Sequence, residues 1–423
     1  MSTTTDPKPA QLRLSKLIGP GLIVAAAGIG AGDMVSATMG GAGYGLSLLW
    51  AVALAAFLKC FLNEGIARWQ LATGTTAIEG WCLQMPWWVR TYFGFYLVFW
   101  TVSVSAALTN ACGLGIANLT NGAIPPGWGA VFHSLLGFAS VWIGGFKGFE
   151  KIMKILIGIM FFAIITCAIL TLHQPLAALR GLFVPAIPSG GGSAVLSVLG
   201  GIGGSITMLA YNYWLREEKM LGPQWVKYVR ADITIAYVFT ALFGMSVMSI
   251  ANQSFHVPGI QITDAQAVTK MATTLGSVIG PLGFYAYSVG FWAAVFASLL
   301  GVWQSVPYLY ADFYGLIRKF PQAQRTAITE VRSKPYRLAL LYITVAPLPF
   351  AFTRQPLFII KAYTIVGSLF IPFLAATLLY LNNFKIPATW GVKKNSKLTN
   401  LVLTFALILF ALAGAREAGL LPK

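Results

Sequence analysis

Two glycine-rich stretches, each inside an apolar run long enough to cross a membrane, constrain this chain most. The first is Gly28-Ile29-Gly30-Ala31-Gly32-Asp33-Met34, within the run 17–40. The second is Gly200-Gly201-Ile202-Gly203-Gly204-Ser205-Ile206-Thr207-Met208, within the run 194–216. A helix needs about 20 apolar residues to span the hydrocarbon. Glycine weakens its interior by roughly 0.5–1 kcal/mol per residue relative to alanine. Unwound backbone survives at membrane depth only against protein or a water-filled cavity, because each unpaired N–H or C=O costs several kcal/mol. Both stretches therefore predict broken helices whose free backbone groups face the inside of a bundle. The competing reading is glycine used for close helix packing. Asp33, a carboxylate at the same depth, is a functional candidate by its position.

Only 10% of the 423 residues are charged and 57% are hydrophobic. Soluble domains carry about 25% charged residues, so the expected class is an all-α polytopic membrane protein. The apolar runs predict about eleven spans, at 17–40, 46–70, 91–117, 128–146, 150–172, 194–216, 229–252, 280–316, 337–353, 358–382 and 398–415. The two glycine-broken runs each open a group of five. Breaks in corresponding positions predict two inverted repeats with a site at their interface. The expected organisation is a cytoplasmic tail at 1–16, a first repeat at 17–172, an extracellular connection at 173–193 rich in proline and glycine, a second repeat at 194–382, and a loop with one additional span at 383–423.

A net charge of +17 would suit a nucleic-acid partner, but position excludes that reading. The Lys and Arg residues concentrate in alternate loops, and one side holds only Arg180, Lys270, Arg354, Lys361, Arg416 and Lys423. That bias places the N-terminus in the cytoplasm and the C-terminus outside, in the plasma (inner) membrane. Cys60, Cys82, Cys112 and Cys167 are scattered through apolar runs with no metal-ligand spacing, and read as small buried hydrophobes. His133, His173 and His256 read as surface residues at helix ends or in loops. The chain has no nucleophile triad and no phosphate-cradling loop, so it does not read as an enzyme and calls for no cofactor. Transport would be driven by a gradient. A membrane enzyme or a sensor without turnover is the reading from another class.

The residues Gly19-Pro20-Gly21, Tyr44-Gly45, Leu48-Leu49-Trp50 and Gly148-Phe149-Glu150-Lys151-Ile152-Met153-Lys154 resemble the framework of the Nramp divalent-metal transporters, as do Gly181–Pro188 followed by Val198–Met208. The resemblance covers about 17–382. It implies the leucine-transporter fold, two inverted repeats of five helices, with an eleventh added. The family's functional residues carry over only in part. Its Asp-Pro-Gly-Asn motif falls on Gly30-Ala31-Gly32-Asp33, so the first carboxylate is missing and an acid stands in the Asn position. Its Met-Pro-His motif falls on Met208-Leu209-Ala210; a later His falls on Leu215 and a Gln on Phe370. Span three has no acid where the family keeps proton-pathway acids, so altered proton coupling is expected.

The resemblance implies a secondary active transporter moving a divalent metal ion, Mn-like or partly hydrated, by alternating access. The alternative is a same-fold transporter of a small organic solute, an amine or amino acid, held by one counter-ion and aromatic walls. Substrate-binding candidates are Asp33, Gly30, Ala31, Met208, Thr207 and Tyr211, with Asp33 and Met208 as metal ligands. Tyr44, Asn212, Tyr213 and Trp214 would supply the walls for an organic solute. The competing role for Asp33 is a structural acid at the start of the second half-helix, where carboxylates are favoured. For Met208 it is gap-filling core. Lys59, Glu64 and Arg68 share span two; the bland reading is an intrahelical ion pair near the cytoplasmic mouth, the sharper one an inner gate or coupling-ion path. Glu64, Arg68 and Asn110 are the gating or coupling candidates. Asp232 is expected at the interface, and Asp312 beside a loop cation.

Overall fold

The computed structural model describes residues 19–255, 266–353, 356–387 and 391–417. The expected tail 1–16 and His256 lie outside the described residues. Every described secondary-structure element is helical. In order they are α1 (Pro20–Gly28), α2 (Ala31–Tyr44), α3 (Leu49–Thr73), α4 (Ala77–Gln84), α5 (Trp87–Leu119), α6 (Pro126–Thr171), α7 (Pro175–Phe183) and α8 (Gly192–Gly201). Then come α9 (Ala210–Glu217), α10 (Val226–Phe255), α11 (Gln266–Ile279), α12 (Pro281–Ile317), α13 (Gln322–Ile328), α14 (Lys334–Val345), α15 (Pro356–Tyr380) and α16 (Lys397–Glu417).

Eight helical runs among the described residues are long and apolar enough to cross a membrane. Two of them, Ala31–Thr73 and Pro126–Thr171, each contain parts of two expected spans. Gly145 divides the second with a φ of +55°, left-handed backbone that only glycine adopts without strain. The expected ninth span is helical only over α14 and the short turn Leu348–Phe350, too short to qualify by length. Apolar run length is a local property and so is legible in a sequence; turns inside a span are not.

The two expected breaks are present. α1 ends at Gly28 and α2 begins at Ala31; α8 ends at Gly201, and regular helix resumes only after a 3₁₀ turn at Ile206–Leu209. The broken helices lie side by side: α2 packs on α8, and α1 on the Ile206–Leu209 turn and α9. α10 and α12 flank α1, while α3 packs on α8 and α9. The connection after α6 folds back rather than trailing free. α7 lies on the turn Gly45–Leu48, Tyr44 Oη donates to Gly190 O (2.9 Å), and Trp50 Nε1 donates to Ala186 O (3.1 Å).

Asp232 is buried among its neighbours, and it explains the Gly-Pro-Gly entry to α1. Its Oδ2 accepts from Gly21 N (2.7 Å) and from Tyr211 Oη (2.8 Å). A Cβ on Gly21 would sit 2.7 Å from the Asp232 carboxylate and from its backbone oxygen. Backbone cannot yield as a side-chain tip can, so Gly21→Ala is expected to lower stability by about 1–3 kcal/mol. Thermal unfolding in detergent measures this; an unchanged melting temperature would show that the approach is loose.

Candidate functional site

The centre of the molecule is the meeting of the two breaks. Gly28 lies directly against the second break: a Cβ there would be 3.3 Å from Gly203 C and Gly204 N. Gly203 and Gly204 have φ of +86° and +78°, so the chain turns left-handed where the helix opens. The glycines therefore serve both expected purposes, unwinding and close approach.

Asp33 joins the breaks. Its Oδ2 accepts from Gly30 N (3.1 Å), the acid of the first turn reaching back to the start of α2. Its Oδ1 accepts from Gly203 N (2.7 Å) across the interface. The side chain is only 2% exposed. Both of its oxygens are engaged by backbone, so the structural role for Asp33 is real.

Lys59 completes the arrangement, and it stands apart from Glu64 and Arg68, with which its position in span two had grouped it. Its ammonium, with the residue 0% exposed, donates to Gly200 O (2.9 Å) and Ile202 O, the carbonyls left open where α8 ends. One peptide unit, Ile202–Gly203, thus presents its C=O to Lys59 and its N–H to Asp33. The signal available in sequence was spacing. Lys59 is five residues from Glu64, off the i,i+4 register that pairs Glu64 with Arg68, and it sits in an otherwise apolar stretch.

Thr207 and Met208 lie on the 3₁₀ turn beyond the break, both buried. The Thr207 hydroxyl has no hydrogen-bond partner, and it faces the break: a Cβ on Gly204 would be 2.6 Å from Thr207 Oγ1. Ser205 Oγ accepts from Trp100 Nε1 (3.0 Å), and Ser298 Oγ donates to Ala27 O (2.8 Å), covering the open end of α1. Neither serine carries a sequence signal, since each partner is remote in the chain. Gly30 is held by Asp33, and Ala31 borders a small apolar cavity of about 30 Å³ that also includes Met34, Thr38, Met271 and Tyr287.

The remaining candidates go elsewhere. Tyr211 turns to Asp232, and Tyr44 to the connection before α8, so neither lines the break. Asn212 Nδ2 donates to Gln70 Oε1 (2.5 Å), and its Oδ1 accepts from Ala77 N (3.1 Å). Tyr213 Oη and Thr76 Oγ1 both donate to Asp312 Oδ2, at 2.7 and 2.8 Å. Asp312 is therefore held by hydroxyls, not by the expected loop cation. Trp214 Nε1 donates to Gln304 Oε1 (2.6 Å), and Gln304 Nε2 donates to Tyr308 Oη (3.0 Å). These bonds tie α9 to α3, α4 and α12 in a polar seam, instead of presenting aromatic walls to a solute.

Glu64 pairs with Arg68 (2.6 Å) and with Arg230 (2.9 Å), and Arg68 Nη1 also donates to Lys393 O and Lys394 O. The ion pair expected at one mouth is present, and it also fastens α3 to α10 and to the segment before α16. Asn110 Nδ2 donates to Ala106 O (2.8 Å) and Phe350 O (3.2 Å), which directs it to the turn after α14 and away from the breaks. His133 is buried, not at the surface: Trp292 Nε1 donates to its Nε2 (2.8 Å), and its Nδ1 lies 2.7 Å from Gly129 O. No group of three or more His, Cys, Asp or Glu residues able to hold a metal exists among the described residues.

Paired broken helices joined at mid-bundle, inside an all-helical apolar protein, define an integral membrane protein of the leucine-transporter fold. The chain belongs to the Nramp family: the family model described as "Natural resistance-associated macrophage protein-like" matches residues 21–416. It is 26% identical over 301 residues to "Divalent metal cation transporter MntH" of Deinococcus radiodurans, covering 68% of this chain and 66% of that protein. It is 26% identical over 329 residues to human "Natural resistance-associated macrophage protein 1", covering 68% of this chain and 59% of that one. The match thus spans just under two thirds of the first relative and less of the second. Among solved structures it resembles the Eremococcus coleocola manganese transporter in complex with an aromatic bis-isothiourea substituted compound. That likeness has a TM-score of 0.71 at 16% identity and covers 99% of this chain and 90% of the other.

Proposed function

We propose that this protein carries a divalent metal cation, Mn²⁺-like or partly hydrated, by alternating access at the paired breaks. Family membership supports the metal reading over the organic solute, because the Deinococcus radiodurans relative is a divalent metal cation transporter by name. The observation that carries the reading is the convergence of one carboxylate, two carbonyls that accept from the Lys59 ammonium and one unused hydroxyl at the meeting of the breaks. With the thioether of Met208 nearby in sequence, the donors are oxygen and soft sulfur, a mixture that suits Mn²⁺ better than Mg²⁺. Mg²⁺ demands near-ideal oxygen geometry and gives up its waters reluctantly.

The basic-residue bias supports an N-terminus in the cytoplasm, a C-terminus outside and residence in the plasma (inner) membrane. The repeats are then 17–172 and 194–382, joined by the extracellular segment 173–193. With that orientation the polar seam around α9 and the Glu64 ion pairs would fall on the cytoplasmic side, and the small cavity beside Ala31 on the opposite one. This supports a conformation closed to the cytoplasm, with Glu64 and Arg68 in the inner gate. α5 has no acid, so coupling to protons would not follow the family's route.

Proteoliposomes loaded with a metal-sensitive dye test the reading: Mn²⁺ entry should exceed that into empty liposomes. Thr207→Val removes a hydroxyl that bonds nothing, so stability should change by less than about 1 kcal/mol. If that hydroxyl oxygen meets cargo as a ligand, flux should still fall about tenfold, the equivalent of about 1.4 kcal/mol. Wild-type flux at the level of protein-free liposomes would refute metal transport.

A further inference from the structure

We infer that the Lys59 ammonium fills a cation site of its own, built from the carbonyls of Gly200 and Ile202 and the charge of Asp33, and that cargo must displace it. This rests on the transport reading for its second half only. The first half stands on the break itself. Two carbonyls at the open end of a helix are the acceptors a cation seeks, since the C-terminal end of a helix dipole is negative. Lys59 donates to both, from a side chain with no exposure at all. Asp33 is joined to Lys59 through the Ile202–Gly203 peptide, from whose N–H it accepts and to whose C=O Lys59 donates. Gly203 is shaped to this lysine: a Cβ there would lie 3.2 Å from Lys59 Cδ.

An ammonium on a four-carbon stem is a compact point charge that can be withdrawn without unfolding its helix. While it is seated, the Asp33–Lys59 site is neutral and its carbonyls are taken. A metal ion at the same carbonyls meets a like charge, so the two exclude each other. Lys59 is then a specificity-determining residue: it sets how strongly a cation must bind before the breaks release their own.

The test uses the full chain in lipid nanodiscs. Lys59→Ala should unfold at a lower temperature than wild type. Its melting temperature should rise saturably with Na⁺ or ethylammonium, against N-methylglucamine chloride at equal ionic strength. Wild type and Lys59→Arg should not respond, and Asp33→Asn/Lys59→Ala should lose the response. Lys59→Met, which keeps the side-chain volume, covers the case in which the alanine variant fails to fold. It should bind Mn²⁺ about tenfold tighter than wild type by calorimetry. No cation response in Lys59→Ala, together with unchanged Mn²⁺ affinity in Lys59→Met, overturns the inference. Cation rescue of Lys59→Ala with no wild-type Mn²⁺ flux sinks the transport reading instead and leaves the site standing.

Discussion

Asp33→Asn should cost about 3–5 kcal/mol of stability and abolish Mn²⁺ flux. The carboxylate accepts from two backbone N–H groups, one on each broken helix. An asparagine has one oxygen, and its amide nitrogen would point a donor at a donor. One charge-assisted bond is lost, at about 1.5–3 kcal/mol. The greater cost comes from Lys59, left buried without its counter-charge; removing one partner of a buried charged pair costs about 3–5 kcal/mol. The two losses arise in one network and do not add. The diagnostic result is therefore the double variant: Asp33→Asn/Lys59→Met should be more stable than Asp33→Asn alone, since both charges are gone. Thermal unfolding and liposome flux measure the two consequences separately. Wild-type stability and wild-type flux in Asp33→Asn would mean that the carboxylate neither joins the breaks nor meets cargo.

Arg325→Ala should destabilise the fold by a similar amount, about 3–5 kcal/mol, by a mechanism unrelated to cargo. Arg325 Nη2 lies 2.6 Å from Glu79 Oε1, and both side chains are almost fully buried, at 10% and 7% exposure. The pair fastens α4 to α13. Truncating the arginine strands the Glu79 carboxylate where water cannot reach it. Glu79 opens α4 behind Thr76, whose hydroxyl caps the helix by accepting from Glu79 N (3.2 Å) and also holds Asp312. Loosening α4 should therefore loosen the seam that closes around α9. Arg325→Ala should lose stability, and Glu79→Gln/Arg325→Met should recover most of it. If the double variant is no better than the single, the cost lies in lost packing around the arginine stem and not in an unpaired charge.

The same contrast between local and distant causes explains what could be read in advance. Apolar run length and glycine clustering act within a few residues, so the broken helices and their all-helical setting were legible. The Glu64–Arg68 pair was legible for the same reason: both residues lie on one helix face, one turn apart. The partners of Tyr211 and Asn110 were not legible, because an aromatic or an amide says nothing in sequence about which neighbour it turns to. Asp232, the partner of Tyr211, lies 21 residues further along, on a different helix. Asp312 is bound by hydroxyls 236 and 99 residues away, and no sequence pattern announces such partners.

By itself, then, the sequence determined a membrane-spanning helical bundle, two interruptions in matching places and an acid beside the first. These follow from backbone conformational freedom and from the cost of polar groups in hydrocarbon, and both act residue by residue. Only the tertiary structure decided that the acid's oxygens are taken up by the two breaks. It also decided that a lysine from a third helix, 141 and 143 residues away, rests on the opened carbonyls. An unsatisfied carbonyl inside a membrane protein accepts from whatever donor packing brings within reach, and that choice is made in space.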